Sequence, residues 1–210
     1  GLAKSSILDC NRFNSMDADS LDPTTRELVK RRESCMGSSY RLFYKRPLNL
    51  VKGEGEYLWD AEGNKYLDAY NNIPSMGHSH PKIVEAVHEQ MKKINTHTRY
   101  LHENIINYSE RLLSLMPKEI DRAMYMCSGS EANDLALRIC MAYTGGTGIL
   151  ISQEAYHGNT QLVSAISPSI GGGQKLLDSV RRVPTPDFYR FGDDAEGFTK
   201  WYCDEIQKQI

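Results

Sequence analysis

No apolar run in the sequence approaches the roughly 20 residues that a membrane-crossing helix requires, so an integral membrane protein is not expected. Charge of either sign is not in excess: 25 basic against 27 acidic side chains leave a formal net charge of −2. With no basic stripe or polybasic cluster, neither a nucleic-acid surface nor a membrane-binding patch is indicated. Cysteine is sparse and unpatterned. The five, Cys10, Cys35, Cys127, Cys140 and Cys203, are odd in number and show no C-x-x-C spacing, which argues against a disulfide framework and a zinc knuckle. Free thiols suit a reducing compartment, and buried filler is the expected role for each. The N-terminal GLAKSSILDCNRFNS lacks the apolar core of a secretory signal. Also missing are internal repeats, low-complexity tracts, and the G-x-x-x-x-G-K-[ST] and G-x-G-x-x-G loops of nucleotide binders.

What is present is an ordinary soluble composition, 40% hydrophobic and 25% charged over 210 residues, enough for one large domain. Residues 22–35 read as a short charged helix with Asp22 as its cap and Pro23 in its first turn. Strand-like and turn-like pieces alternate from 49 to 68, a small antiparallel meander with Glu62-Gly63-Asn64 at a hairpin tip. An irregular loop at 71–80 leads to Pro81, which starts the next helix. Ile83, Val84, Val87, Met91 and Ile94 keep helical spacing on one face, as do Ile105, Ile106, Leu112, Leu113 and Met116 in 103–116. Strands are expected at 123–126, 148–152 and 179–183, separated by a helix at 130–142 and the segment 156–177. That alternation argues for a parallel sheet in an α/β layered domain. A turn at Gly145-Gly146-Thr147-Gly148 and a last helix at 195–209 complete the pattern. Three parallel strands make a poor core. The sequence therefore reads as the front part of a longer protein. Residues 1–75 would belong to a small domain, and 76–210 would be the first part of a large one.

Residues 127–143, CSGSEANDLALRICMAY, are the most informative. An extended segment runs through Ser128-Gly129-Ser130 into an amphipathic helix, which aims free amides and the positive end of a helix dipole at one point. Such a point binds an anion, most often a phosphate. The same residues also read as a plain capping box, Ser128-x-x-Glu131, with Ser128 capping the third amide and Glu131 reaching back. A second segment, Tyr156-His157-Gly158-Asn159, follows a strand directly, where residues of a parallel sheet face the ligand crevice. An aromatic ring there can stack on a planar heterocycle, or can simply pack in the core. His78 and His80 invite a metal, but no carboxylate or thiolate completes a ligand set, so none is expected; they are read as tying the loop to neighbouring backbone. The polar, aromatic connector at 95–104 could line a site or serve as a solvated turn.

Together these pieces resemble the N-terminal half of a class III aminotransferase, a fold-type I pyridoxal-phosphate enzyme. The matching blocks are GEGEYLWDAEGNKYLDAYNN, GHSHPKIVEAV, NTHTRYLHENIINYSERL, SGSEANDLALR and AYHGNT, in order from Leu42 to about Asp187. Within the class, RYLHEN, SEANDLALR, AYHG and VPTPDFYR are most similar to the branch holding ethanolamine-phosphate phospho-lyase and relatives of alanine–glyoxylate aminotransferase. The resemblance implies an incomplete, mostly parallel sheet with helices on both faces, plus the N-terminal meander. It implies pyridoxal 5'-phosphate as cofactor. The Gly129 and Ser130 amides, with the Ser128 or Ser130 hydroxyl, would hold its phosphate; Tyr156 would stack on its ring, with His157 supporting that geometry. Tyr100, Leu101 and His102, with Asn72, would lie near the substrate or a dimer interface. The lysine that would join the cofactor, and the aspartate that would meet its pyridine nitrogen, have no counterpart here. Lys175 follows a glycine run, and Lys200 and Lys208 lie on the last helix. No catalytic residue is therefore named, and these 210 residues are expected to be inactive alone. The complete enzyme would be a homodimer that moves an amino group between an amine or amino acid and an oxo acid. It would work in the cytoplasm or the mitochondrial matrix, with no nucleic-acid or membrane partner. The rival readings are a phospho-lyase acting on an amino-alcohol phosphate such as phosphoethanolamine, and a non-catalytic truncated remnant.

Overall fold

The computed structural model describes residues 13–70, 72–170, 175–192 and 194–210. Cys10, Asn71 and the glycine run at 171–173 lie outside the described residues, so the expectations placed on them are not taken further. The chain divides into two compact units, Gly1–Leu101 and His102–Ile210.

In the first unit, Pro23–Cys35 forms helix α1, opened by the Asp22 carboxylate, which accepts the Thr25 amide at 2.9 Å. A 3-10 turn at Ser15–Ser20 packs on it, and Phe13, Leu21 and Val29 form a small core with Ala18 and Leu42. The meander is present as three antiparallel strands in sequence order: β1 (Leu50–Glu54), β2 (Tyr57–Asp60) and β3 (Lys65–Leu67). One side chain organises its tip. Asp60, 8% exposed, accepts the amides of Glu62 and Asn64, the Asn64 side-chain amide and the Tyr66 hydroxyl, at 2.7–3.0 Å. A buried carboxylate satisfied by four donors is stable only when ionised. Helix α2 (Pro81–Lys93) follows the loop at 72–80.

The second unit contains α3 (Glu103–Leu113), α4 (Gly129–Thr144), β4 (Ile149–Ser152), the short α5 (Gln161–Ser164), β5 (Val180–Val183), α6 (Phe188–Phe191) and α7 (Ala195–Gln207). β4 and β5 pair in parallel, Ile149 opposite Val180 through Ser152 opposite Val183. Ile151, Ala155, Val163 and Ile166 form the core, closed by Leu137 from α4 and by Ile149 and Val180. Val163 is wholly buried.

Two expectations need correction, and two features were not foreseen. Residues 123–126 are not a strand: among the described residues no neighbour pairs with them, and an unpaired extended segment has no ladder to join. Tyr125 is instead tied by its hydroxyl to Ser109 at 2.9 Å. The four described cysteines are exposed rather than buried, because the helices and loops that carry them have no packed layer over those faces. The apolar stripe of α2 is helical as expected but uncovered, with Ile83, Val84, Val87, Met91 and Ile94 between 47% and 69% exposed. Finally, α6 was not anticipated; its four residues are too few to show a period, and it is held by the Asp187 cap and by Phe188 and Phe191 packing edge-on to Phe198.

The Asn64 side chain, then the Tyr66 hydroxyl and the amides of Asn64 and Glu62, hold the Asp60 carboxyl down at about 2, against an ordinary 3.8. The stabilisation is therefore complete above the unfolded value and is lost as pH falls through the folded one. Asp60→Ala is expected to lower the urea midpoint by a constant amount down to about pH 5, with the gap narrowing below about pH 4. Trp59 fluorescence can follow the transition. A gap that stays constant to pH 2 would refute this account of the hairpin tip.

Candidate functional site

The end of β4 and the start of α4 meet at a seam built from one glycine. Gly158 has φ +134°, and a Cβ placed on it would lie 2.4 Å from Ser130 Oγ and 2.8 Å from Ser130 Cα. Only glycine lets the loop lie directly on the first turn of the helix. Three side-chain contacts fix the approach. Ser130 Oγ donates to Asn159 Oδ1 and accepts the Asn159 amide, both at 3.2 Å. Asn133 Nδ2 donates to the His157 carbonyl at 2.8 Å, and Thr160 Oγ1 donates to Asp134 Oδ1 at 3.2 Å. On the far side, the His157 amide donates to Ser167 Oγ, which itself donates to the Val163 carbonyl in the core. The loop is held from both sides.

The helix start is equally defined. Ser128 is extended and accepts the Glu131 amide at 3.2 Å, while its own hydroxyl donates to Glu131 Oε2 at 3.1 Å. This is the capping box, with one difference: the Glu131 carboxylate returns to the cap's hydroxyl. Such a cap is worth about 1 kcal/mol. Its consequence for ligands matters more. The hydroxyl protons of Ser128 and Ser130 are already donated, so the groups left over at this end are the Gly129 and Ser130 amides, which no helical carbonyl can reach. A Cβ added to Gly129 would meet nothing within 4 Å. Among the described residues neither amide has a hydrogen-bond partner, and both lie at the positive end of a 16-residue helix.

Tyr156 is 64% exposed and lies two residues from Gly158, within about 7 Å of chain from the seam. Exposure alone does not mark it, since Tyr143 and Tyr189 are more exposed; its place beside the seam does. The His157 ring is partly buried, and its Nε2 is shielded from solvent without a partner. An orphaned polar atom of this kind costs about 1–3 kcal/mol, which a ligand or a further polar group would recover.

Ser128, Gly129, Ser130, Tyr156 and His157 thus fall together in the second unit. Of the other three candidates, Asn72 and Tyr100 belong to the first unit and His102 to the second. His102 caps α3, its Nδ1 accepting the Asn104 amide at 3.2 Å. Tyr100 stacks on His97 with ring centroids 5.0 Å apart, and Asn72 is exposed in the loop before α2. Sequence reasoning missed Asn133, Asp134, Asn159 and Thr160, which lace helix to loop. No local signal marks them, because each bonds across 24–29 residues of sequence.

A family model for class III aminotransferases matches residues 42–207. The chain belongs to the class III aminotransferase family. It is 38% identical over 182 residues to an alanine–glyoxylate aminotransferase 2-like protein of Drosophila melanogaster, covering 85% of this chain and 36% of that one. It is 34% identical to ethanolamine-phosphate phospho-lyase homolog 1 of Caenorhabditis elegans, covering 78% and 36%. Among solved structures it resembles a phospholyase from Arthrobacter in complex with phosphoethanolamine, with TM-score 0.80, 38% identity, and coverage of 87% of this chain and 44% of that one. The chain thus spans well under half the length of these relatives. The fold is that of the fold-type I pyridoxal-phosphate enzymes, seen here as partial sheets, and class III aminotransferases depend on that cofactor. The residues present fit its phosphate: helix N-terminal amides without a partner among the described residues, and open space where a Gly129 Cβ would stand.

Gly158→Ala is expected to cost roughly 2 kcal/mol or more, from strained backbone and forced separation of the seam. Urea unfolding of the chain reads this directly. Wild-type stability in that variant would mean that the loop does not lie as close to Ser130 as drawn.

Proposed function

We propose that the first turn of α4 and the 156–159 turn hold pyridoxal 5'-phosphate, and that the complete protein is an aminotransferase. Its reaction would move an amino group between an amine or amino acid and an oxo acid. The observation that carries this reading is the pair of unsatisfied amides at Gly129 and Ser130, laced to the loop that presents Tyr156. Those amides would bind the phosphate, with a Ser128 or Ser130 hydroxyl joining only by exchanging a bond it now makes. Tyr156 would cover one face of the pyridine ring and keep water from it. His157 would support that placement, and Asn133 would hold the His157 carbonyl. When bound, the cofactor supplies the electron sink for the chemistry at the substrate's amine-bearing carbon.

Asn72, Tyr100 and His102 are assigned to the substrate side on the family resemblance. Residues 1–75 go with a small domain and 76–210 with the front of the large one, in a homodimer of the cytoplasm or mitochondrial matrix. Two relatives, from Arabidopsis thaliana and Pongo abelii, are named as mitochondrial. Lys175 and Lys208 are engaged in exposed ion pairs with Asp178 and Glu205, which supports assigning neither a catalytic role. The 210 residues by themselves are proposed to bind without turning over. A second reading, a lyase releasing phosphate from an amino-alcohol phosphate, is favoured by the 38% identity to the Arthrobacter phospholyase.

Two measurements test the proposal. Pyridoxamine 5'-phosphate, whose amine cannot condense with surface lysines, should bind the chain and quench Tyr or Trp fluorescence. Pyridoxamine without phosphate should bind at least about 100-fold more weakly, since two hydrogen bonds to a charged group are worth about 1.5–3 kcal/mol each. Gly129→Ala should weaken the phosphorylated ligand about tenfold or more while changing stability by under ~0.5 kcal/mol. Equal affinity in that variant would move the phosphate elsewhere.

The full-length protein should transfer amine nitrogen to a 2-oxo acid without releasing inorganic phosphate from phosphoethanolamine. Phosphate release in that assay would replace the transferase reading with the lyase.

A further inference from the structure

The loop at 72–80, which carries Asn72, is pressed onto the meander by contacts that the cofactor cup does not use. Gly55 and His78 form an isolated antiparallel bridge, with the Gly55 amide donating to the His78 carbonyl at 3.0 Å and the His78 amide to the Gly55 carbonyl at 2.7 Å. Two glycines make room for it. A Cβ on Gly53 would lie 2.8 Å from His78 Cβ, and one on Gly77, at φ +82°, would lie 2.8–2.9 Å from Gly55 backbone. Ser79 then adopts φ +54°, an uncommon conformation for a residue with a side chain. Strain of that kind persists only where the surroundings over-determine it.

The side-chain element that completes the restraint is a close pair. His78 Nε2 lies 2.7 Å from Asp68 Oδ2, with the two side chains 21% and 10% exposed. Asp68 Oδ1 at the same time accepts the Tyr70 amide at 3.1 Å. The His78 ring, then the Tyr70 amide, hold the Asp68 carboxyl below its ordinary range. Asp68 directly follows β3 and His78 lies two residues before His80, the cap of α2, so one short contact ties the end of β3 to the approach to α2.

We propose that Asp68 and His78 are positioning residues for the reaction: their contact holds the loop bearing Asn72 in the one register that receives the amino substrate. Neither residue touches substrate or cofactor in this assignment. It rests on the aminotransferase reading for the substrate, but the loop restraint is independent of that reading.

The experiment has two arms, each using wild type, Asp68→Ala, His78→Ala and His78→Gln. Glutamine places its amide nitrogen where His78 Nε2 stands, so it can keep the contact to Asp68. In the first arm, hydrogen exchange of the Gly55 and His78 amides is measured on the 210-residue chain. Both alanine variants should exchange at least tenfold faster at these two amides, with the amides of α1 unchanged and glutamine close to wild type. In the second arm, the full-length holoenzyme is assayed. The alanine variants should raise the KM for the amino donor fivefold or more, with pyridoxamine 5'-phosphate affinity and kcat within twofold of wild type. His78→Gln should restore KM to within about twofold. Unchanged exchange in the alanine variants would overturn the restraint. Faster exchange with an unchanged KM, or a KM loss that glutamine does not rescue, would overturn the positioning role. A wild-type enzyme without transferase or lyase activity would overturn the aminotransferase reading, and the positioning role with it, while the exchange arm still decides whether the pair holds the loop.

Discussion

The candidate site depends on the contact between Gly158 and Ser130. Helix α4 and the loop after β4 are separated by 28 residues in sequence between these two positions, yet no Cβ fits between them. Everything placed near the helix start follows from that approach. It brings Asn159 onto the Ser130 hydroxyl, sets the His157 carbonyl against Asn133, and leaves the exposed Tyr156 two residues along the chain from the seam. A bulkier residue at 158 would push the 156–159 turn away from the first turn of α4, leaving each sound as local structure.

The same device recurs in the first unit, with different partners. Gly53 and Gly77 let the 72–80 loop lie on β1 as closely as Gly158 lets its loop lie on α4. In both places backbone approach is made possible by a missing side chain and then locked by polar side chains, Asp68 with His78 in one case and Asn159 with Ser130 in the other. The hydrogen bonds are individually modest, about 1 kcal/mol net each. Their effect is geometric, since each removes the freedom to drift that the glycine would otherwise introduce.

Local features of the fold were legible where a single residue decides them. Asp22 before Pro23, Ser128 before a helical period, and Glu62-Gly63-Asn64 between two alternating runs each specify a structure through a mechanism confined to a few residues. The strand expected at 123–126 was not legible for the opposite reason: a strand exists only through a neighbour, and its sequence carries no information on whether one is there. The cysteines were misjudged on the same ground, because residue type shows what favours burial and not what covers it. In the candidate site, Ser128, Gly129 and Tyr156 could be picked out by their local chemistry. Asn133 and Thr160 could not, since their bonding partners lie 24 and 26 residues away.

The prior commitment of the two serine hydroxyls bears on how an anion would be held. A hydroxyl that must rotate to meet a phosphate brings its own torsional freedom and breaks an existing bond to do so. An amide at the first or second position of a helix has neither cost, because its direction is set by the backbone and it has nothing to give up. In this turn Ser128 and Ser130 already bind Glu131 and Asn159, so they stiffen the cup, and the unsatisfied donors are the two whose orientation is fixed beforehand. A site organised in this way loses little entropy when its ligand arrives. The Glu131 and Asp134 carboxylates oppose an anion here, and each accepts a hydroxyl proton, from Ser128 and Thr160. On the proposed reading a phosphate would therefore be held mainly through backbone amides, with serine acting as structure.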